Sequence, residues 1–282
     1  MSQYKAIALD IDGTVTNSRK EITPKTLEAI RKAQESGIIV ILASGRPTAG
    51  IHAIANKLEL DKFGGYILAF NGARIINCKT DEIIYQDVLP KNIIPTIYKE
   101  ACDHQVGIIT YEGNEVICGS KHDAYVDKEA QINNIHVTDV ENFDEYVTFD
   151  VNKCLITGEP DFLADMEKEM QGKYGDQLSI YRSEPFFLEI MPNNVDKANS
   201  LQHLLAHLGL TKDELIAAGD GFNDLSMIKY AGLGVAMANA QEVVKENADY
   251  ITLSNDDDGV AYIIEEFMLD DSKELIGSLG GK

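Results

Sequence analysis

The stretch YKAIALDIDGT, residues 4–14, places two aspartates directly after an apolar run. A short apolar run such as Tyr4 to Leu9 is typical of a buried parallel strand. Asp10 stands where that strand ends, and the Asp12-Gly13 pair that follows is typical of a turn. The segment therefore predicts a buried strand that carries polar side chains at its carboxyl end.

The chain beyond this stretch alternates between helix and strand patterns. Thr23 has the position of an N-cap before Pro24, and Gly37 ends the predicted helix. Further buried strands are predicted at residues 38–43 (IIVILA), 66–70, 215–218, 233–237 and 250–253. Such alternation predicts an α/β fold with a doubly wound parallel sheet.

The pattern changes between about residue 90 and residue 186. Short strands are predicted close together at residues 107–111, 115–118, 153–157 and 178–181, with helices near 93–104 and 161–174. Paired strands beside helices predict a separate α+β domain inserted into the larger one. The predicted organisation is a core of residues 1–88 and 187–270, an inserted cap of residues 89–186, and a flexible tail of residues 271–282.

Three polar clusters follow three of the predicted core strands: residues 10–14 (DIDGT), 44–46 (SGR) and 219–224 (GDGFND). Because the carboxyl ends of parallel strands share one edge of a sheet, where ligands bind, these clusters are expected to meet. Aspartate and carbonyl oxygens are the donors that Mg²⁺ prefers, and hydroxyl, amide and lysine groups bind phosphate oxygens. The clusters therefore predict a site for Mg²⁺ and a phosphoryl group.

Two other interpretations of the first cluster stay open from the residues alone. Its aspartates and glycine are compatible with a solvated turn. Oxygen-bearing side chains also stand at the positions used by a calcium-binding EF-hand loop: Asp10, Asp12, Thr14, Thr16, Ser18 and Glu21. An EF-hand, however, requires glycine where Val15 stands, and a helix rather than a strand before the loop.

The charge balance restricts the class of ligand. The chain has 46 acidic and 25 basic residues, which gives a formal net charge of −21. A surface this negative repels nucleic-acid backbones, and a site for an anionic substrate must supply its own positive charge. The sequence therefore predicts a small-molecule ligand and neither a nucleic-acid nor a membrane partner; it gives no oligomeric state.

The cysteines and the N-terminal segment predict a cytoplasmic protein. The four cysteines lie far apart at Cys78, Cys102, Cys118 and Cys154, which favours reduced thiols. The N-terminal residues lack the pattern of a secretory signal, and the apolar runs are of strand length.

The polar clusters resemble the motifs of haloacid dehalogenase superfamily phosphatases. Those motifs are matched by residues 10–14, 44–46, Lys197 and 219–224. Residues 71–73 (NGA), 186–190 (FFLEI) and 234–240 (GVAMANA) resemble the Cof subfamily, and residues 46–52 (RPTAGIH) resemble YidA-type sugar phosphatases most. The resemblance runs from about Tyr4 to Leu269 and implies a Rossmann-like core with an inserted cap.

The resemblance also implies roles for the matching residues. Asp10 is expected to be the nucleophile that forms an aspartyl-phosphate, and Asp12 the general acid and base. Mg²⁺ is expected on Asp10, Asp220 and the backbone carbonyl of Asp12, with Asp224 supporting Lys197 or a metal-bound water. The residues expected to bind phosphate are Ile11, Ser44, Gly45, Lys197 and Asn223.

Two positions depart from the family pattern without removing a reactive group. Ala198 stands where the family usually has glycine after the motif lysine, and the Ala238-Asn239 pair replaces a more usual glycine or aspartate before asparagine. The function that the resemblance implies is a Mg²⁺-dependent phosphatase acting on small phosphorylated metabolites, with sugar phosphates as the expected class. A phosphomutase of the same superfamily and a calcium-binding protein are the alternatives.

Overall fold

The computed structural model describes residues 3–269 of the chain. The strands, numbered along the chain, are β1 (Ala6–Leu9), β2 (Ile39–Ala43), β3 (Tyr66–Ala69), β4 (Arg74–Asn77), β5 (Ile83–Gln86), β6 (Gly107–Glu112), β7 (Glu115–Ser120), β8 (His136–Asp139), β9 (Cys154–Thr157), β10 (Leu178–Glu184), β11 (Phe187–Pro192), β12 (Leu215–Gly219), β13 (Leu233–Ala236) and β14 (Tyr250–Ile251). They form two separate sheets.

The α-helices are α1 (Pro24–Glu35), α2 (Thr48–Lys57), α3 (Leu60–Phe63), α4 (Ile94–His104), α5 (Ala124–Asn133), α6 (Phe143–Tyr146), α7 (Pro160–Tyr174), α8 (Lys197–Leu208), α9 (Leu225–Tyr230), α10 (Glu242–Lys245) and α11 (Gly259–Phe267). None of the helices between residues 3 and 269 has the length and apolar character needed to cross a membrane.

The chain folds as two compact units. Within the described residues, the first unit comprises residues 3–45, 54–85 and 196–269, and the second comprises residues 46–53 and 86–195. The first unit contains an eight-stranded sheet in the order β14-β13-β12-β1-β2-β3-β4-β5, which is parallel from β14 to β3. The predicted parallel α/β core is confirmed.

The register of the central strands fixes where the polar clusters lie. Leu9 at the end of β1 pairs with Ala218 of β12 on one side and with Leu42 of β2 on the other. The residues that follow these strands therefore share the carboxyl edge of the sheet. Residues 10–14, 44–45 and 219–224 lie at that edge, as predicted, whereas Arg46 belongs to the second unit.

Helices α1 and α8 are fixed by their caps and by apolar stripes. The Thr23 hydroxyl accepts from the Thr26 amide at 3.1 Å, so α1 begins where its sequence predicts. The Asp196 carboxylate accepts from the Asn199 amide at 2.9 Å and starts α8 with Lys197 as its first residue. Leucines of α8 pack on one face of the core sheet: Leu201, Leu204 and Leu205.

The second unit is built on a six-stranded sheet in the order β10-β11-β9-β6-β7-β8. All its pairings are antiparallel except β7 with β8, which is parallel. Helices α4, α6 and α7 pack on one face of this sheet, and α5 packs on the other. The predicted inserted α+β domain is therefore present.

The domain boundaries differ from the prediction. Residues 187–192 were expected to begin the second core segment, but they form β11, which pairs with β9 and β10 of the second unit. The last change of unit falls at Val195 and Asp196 instead of 186 and 187, and the one before it falls at Tyr85 and Gln86 instead of 88 and 89. Residues 46–53, which were expected in the core, belong to the second unit. The predicted flexible tail, residues 271–282, lies outside the described residues.

Candidate active site

Lys197 joins two of the aspartates predicted from the sequence. Its side chain is fully buried, and its Nζ donates to Asp10 Oδ1 at 2.7 Å, to Asp224 Oδ1 at 2.5 Å and to the Ala43 carbonyl at 2.8 Å. Burial by itself lowers the pKa of this ammonium, but Asp10 and Asp224 outweigh burial and raise it above its ordinary value. Lys197 is therefore a fixed cation at the ends of β1 and β2.

Asp224 holds both the lysine and the turn after β12. Its Oδ1 accepts from Lys197, and its Oδ2 accepts from the amides of Asp220 and Gly221, each at 2.9 Å. Gly219 allows this close approach, because a Cβ atom there would lie 2.4 Å from Asp224 Cγ. Both oxygens of Asp224 are therefore engaged, one by Lys197 and the other by the turn after β12.

Asp220 lies against the loop that follows β1. Its Oδ1 accepts from the Thr14 hydroxyl at 2.9 Å. Gly13 has a left-handed φ of +85°, and a Cβ atom there would lie 2.4 Å from Asp220 Oδ2. Asn239 holds the Gly13 carbonyl from the other side at 2.8 Å. The loop backbone and the Asp220 carboxylate are thus packed directly together.

The carboxylates carry more negative charge than Lys197 balances. Burial, followed by the charge of Asp224, raises the pKa of Asp10 to about 8, although Lys197 opposes this shift. Burial also raises the pKa of Asp220 to about 6, with Asp224 and Asp12 adding to it and Thr14 opposing it. Such crowded, incompletely neutralised carboxylates are the situation that a bound dication relieves.

The donor atoms at this point fit Mg²⁺. Carboxylate oxygens of Asp10, Asp220 and Asp224 lie within 4.8 Å of one another. Mg²⁺ is bound in proteins by one or two carboxylates, and water and phosphate oxygens complete its coordination. Since both oxygens of Asp224 are already hydrogen-bonded, Asp10 and Asp220 are the carboxylates best placed to serve as ligands.

The Asp12 side chain has different surroundings from those of Asp10. It is about one-third exposed, and Lys20 Nζ lies 2.8 Å from its Oδ1. The backbone around it is tightly turned, because the Ile11 carbonyl accepts from both the amide and the hydroxyl of Thr16, at 2.9 and 3.0 Å. A partly exposed carboxylate on a fixed loop can exchange protons with solvent. Lys20 is a neighbour that no sequence signal indicated.

The remaining predicted phosphate-binding residues meet at Asn71. The Asn71 amide donates to the Ser44 carbonyl at 2.9 Å, and the Asn223 side chain donates to Asn71 Oδ1 at 3.1 Å. A Cβ atom on Gly45 would lie 3.1 Å from the same Asn71 oxygen. Asn71 therefore links the ends of β2 and β12. The sequence indicated it only as part of the supporting residues 71–73.

Two other sequence interpretations are resolved by the structure. The calcium-loop interpretation is wrong, because residues 6–9 before the loop form a strand, whereas an EF-hand requires a helix there. The second concerns His203 and His207, which lie four residues apart on α8, a spacing that can bind a metal. His203 instead stacks on Tyr85 with ring centroids 4.3 Å apart, as an ordinary histidine on the surface of a helix does.

The chain is similar to known proteins over nearly its whole length. Residues 7–264 match the family model described as haloacid dehalogenase-like hydrolase. A crystal structure of a haloacid dehalogenase-like hydrolase from Bacteroides thetaiotaomicron is 49% identical, with a TM-score of 0.90, and the match covers 93% of this chain and 98% of that one.

Two further similar proteins have named activities. The 5-amino-6-(5-phospho-D-ribitylamino)uracil phosphatase YcsE of Bacillus subtilis (strain 168) is 31% identical over 94% of this chain and 96% of its own length. The solved structure of a sugar phosphatase of subclass IIB is 26% identical with a TM-score of 0.79, over 93% of this chain and 98% of that one.

Proposed function

Because the chain belongs to the haloacid dehalogenase-like hydrolases, we propose that it is a Mg²⁺-dependent phosphatase of small phosphorylated metabolites, with sugar phosphates as its substrate class. The observation that supports this most is the buried Lys197 between Asp10 and Asp224, next to Asp220 at the carboxyl edge of a parallel sheet. That arrangement gives a nucleophile, a fixed cation and metal ligands in one place.

Asp10 is the proposed nucleophile. One of its carboxylate oxygens forms a bond to phosphorus while the bond from phosphorus to the leaving oxygen breaks, which gives an aspartyl-phosphate. Lys197 holds Oδ1 at 2.7 Å and so limits the orientations that the carboxylate adopts. The same ammonium favours the ionised form of Asp10, which the reaction requires.

Asp12 is the proposed proton carrier. It donates a proton to the leaving oxygen in the first step, then takes one from the water that attacks phosphorus and releases Asp10 and phosphate. Its partial exposure supports this role, because the leaving group and then the attacking water must both reach the carboxyl group, which loses its proton in the first step and regains one in the second. Lys20 Nζ, 2.8 Å from Asp12 Oδ1, places a cation beside this carboxylate.

Asp10, Asp220 and the backbone carbonyl of Asp12 are the proposed Mg²⁺ ligands. When bound, Mg²⁺ would reduce the repulsion between the Asp10 carboxylate and the phosphoryl oxygens. The proposed phosphate-binding groups are those of Ile11, Ser44, Gly45, Lys197 and Asn223. They supply positive charge and donors within a chain whose net charge is −21.

The substrate class rests on similarity and on charge. The sugar phosphatase of subclass IIB and the Bacillus subtilis phosphatase both match nearly the whole chain, and each acts on a small phosphorylated molecule by its name. The strongly negative net charge supports a small substrate over a nucleic acid. The cytoplasmic location and the absence of a membrane partner stay predictions from the sequence.

Two isosteric variants test the mechanism. Asp10→Asn is expected to abolish turnover, and Asp12→Asn to slow it by ~10²-fold or more while a phosphoenzyme accumulates on Asp10. Release of inorganic phosphate from a panel of phosphorylated sugars, nucleotides and cofactors is the measurement. Asp165→Asn, in an exposed ion pair with Lys168, is the matched control and should keep full activity.

The same assays separate the alternatives. A phosphomutase would isomerise hexose phosphates and release little inorganic phosphate. If Asp10→Asn keeps more than about a hundredth of wild-type turnover, a covalent intermediate on Asp10 is excluded.

A further inference from the structure

The second unit contains a group of metal-ligating side chains formed by Cys118, His122 and Asp139, with Asp127 beside it. Cys118 on β7 pairs directly with Asp139 on β8 in the parallel register. Paired residues of adjacent strands present their side chains on the same face of a sheet. His122 follows β7 by two residues, and one ligand atom from each of the three residues lies within 4.8 Å of the others.

The imidazole of His122 is held between two carboxylates. Its Nδ1 lies 2.8 Å from Asp139 Oδ1, and its Nε2 lies 3.1 Å from Asp127 Oδ1 in the first turn of α5. A carboxylate that accepts from one ring nitrogen fixes the ring and directs the other nitrogen toward a metal. Asp127 contacts Nε2 and can orient the ring in this way, which leaves Nδ1, the nitrogen that faces Asp139, to bind the metal.

A nucleophilic role for Cys118 does not fit its surroundings. The residue is 1% exposed, whereas reactive cysteines are accessible and ionise easily. Burial, followed by the charge of Asp139, raises the pKa of Cys118 to about 12. The same negative surroundings, which disfavour a thiolate alone, attract a dication that can replace its proton.

We propose that Cys118, His122 and Asp139 bind Zn²⁺, with Asp127 orienting the imidazole. A thiolate combined with an imidazole and a carboxylate selects zinc over the hard cations Mg²⁺ and Ca²⁺. Binding forms bonds from the ion to Cys118 Sγ, His122 Nδ1 and an Asp139 oxygen, and the thiol proton and any proton on Nδ1 pass to solvent. The Asp139 side chain is 64% exposed, so water can supply the fourth ligand.

The proposed ion has a structural consequence for the second unit. It connects β7, the turn after it and β8, and β8 is the last strand of its sheet. A short edge strand has one neighbour, so a metal bond across the β7 and β8 pair adds stability where hydrogen bonding is one-sided. The site uses no residue assigned to phosphoryl transfer.

Cobalt provides a direct test with the full-length protein. The protein is stripped of metal with EDTA, dialysed, supplied with excess Mg²⁺ and titrated with Co²⁺. Wild type is expected to show a thiolate-to-cobalt charge-transfer band that saturates at one Co²⁺ per chain and is abolished by Zn²⁺. Cys118→Ser should lose the band, whereas Cys102→Ser, which removes the exposed cysteine of α4, should keep it.

Variants of His122 and of its partner Asp127 test the site independently, in case Cys118→Ser does not fold. His122→Asn and Asp127→Asn should weaken Zn²⁺ binding by ~10-fold to 100-fold or more, as measured by calorimetry, with unchanged circular dichroism. His136→Asn, on the exposed part of β8, is the control that should bind Zn²⁺ as wild type does. The proposal is overturned if wild type shows no thiolate band at stoichiometric Co²⁺, if the band survives Cys118→Ser, or if His122→Asn binds Zn²⁺ normally.

Discussion

Gly13 packs directly against the Asp220 carboxylate, which leaves no room for a side chain at this position. The residue has φ near +85°, and any Cβ atom would collide with Asp220. Gly37, at the end of α1, has almost the same φ of +86°, but no atom lies within 4 Å of the position where its Cβ would stand. Both positions therefore favour glycine because of their left-handed backbone, but only at Gly13 would a side chain also collide with a neighbour.

Alanine substitutions at these two glycines should have different effects on activity. Both Gly13→Ala and Gly37→Ala place a side chain in a left-handed conformation, which destabilises the fold by about 1–2 kcal/mol. Only Gly13→Ala should also displace Asp220, and a misplacement of this kind can lower kcat/KM by ~10²-fold. Urea unfolding measures the first effect, and phosphate release at several Mg²⁺ concentrations measures the second.

The interpretation of Gly13 depends on that contrast. If Gly13→Ala keeps wild-type kcat/KM and wild-type dependence on Mg²⁺, the loop does not position Asp220. If Gly37→Ala loses activity to the same extent, general destabilisation explains both results.

The candidate site shows which residues a sequence can identify. Asp10 and Asp220 were predictable because each follows a buried apolar strand, and parallel strands end at one edge. Lys197 was not, since a lysine at the start of a helix is usually solvated. Its burial depends on the partners Asp10 and Asp224, which lie 187 and 27 residues away. The resemblance to a family supplied what the local pattern lacked.

At the scale of elements, local sequence patterns predicted the buried core strands better than the shorter strands of both sheets. The buried strands β1, β2 and β3 have continuous apolar runs, whereas three of the four missed strands, β4, β5 and β8, are short and partly exposed. Residues 187–192 have an apolar run like a core strand, but antiparallel pairing with β9 and β10 places them in the second unit. An apolar run shows that a strand is buried, but it does not show which other strands it pairs with.

Glu100 connects α4 to α7. Its Oε1 accepts from the Tyr174 hydroxyl at 2.6 Å and from Lys173 at 3.0 Å. Burial alone would raise the pKa of Glu100, but the Tyr174 hydroxyl, Lys173 and His104 together hold it below its ordinary value. The folded state therefore favours the ionised carboxylate more than the unfolded state does.

Glu100→Gln should lower the free energy of unfolding by about 1–2 kcal/mol at neutral pH, because two hydrogen bonds to a charged acceptor are weakened. Since the folded pKa is lowered, this contribution is present above the unfolded pKa and disappears as the pH falls through the folded pKa. Urea titrations from about pH 7 to about pH 3.5 should show the wild type and the variant converging.

A charge pair on the same helix provides the control. Asp103 pairs with Lys99 on the exposed side of α4, so Asp103→Asn should change the free energy of unfolding little at neutral pH. A constant difference between wild type and Glu100→Gln across the pH range would contradict an electrostatic origin.

For the whole molecule, the dominant property is the net charge of −21. Surface ion pairs occur throughout the described residues, but exposed pairs contribute little to stability. The unpaired excess of carboxylates repels itself in the compact state, and this repulsion acts over distances that salt can screen. Screening should therefore stabilise the folded chain more than it weakens the exposed pairs.

The melting temperature of the metal-free protein should rise as KCl increases from ~0.01 M to ~0.2 M, because the Debye length shortens from about 30 Å to less than about 10 Å. If screening recovers about 1 kcal/mol, the expected rise is about 2–4 °C. NaCl at equal ionic strength should give the same rise, since screening does not depend on which monovalent cation is present.

Adding MgCl₂ at constant ionic strength should raise the melting temperature of wild type further, because Mg²⁺ binds at the carboxylates. This further rise should be absent in Asp220→Asn. A melting temperature that falls with KCl would mean that exposed ion pairs outweigh the self-repulsion of the acidic surface.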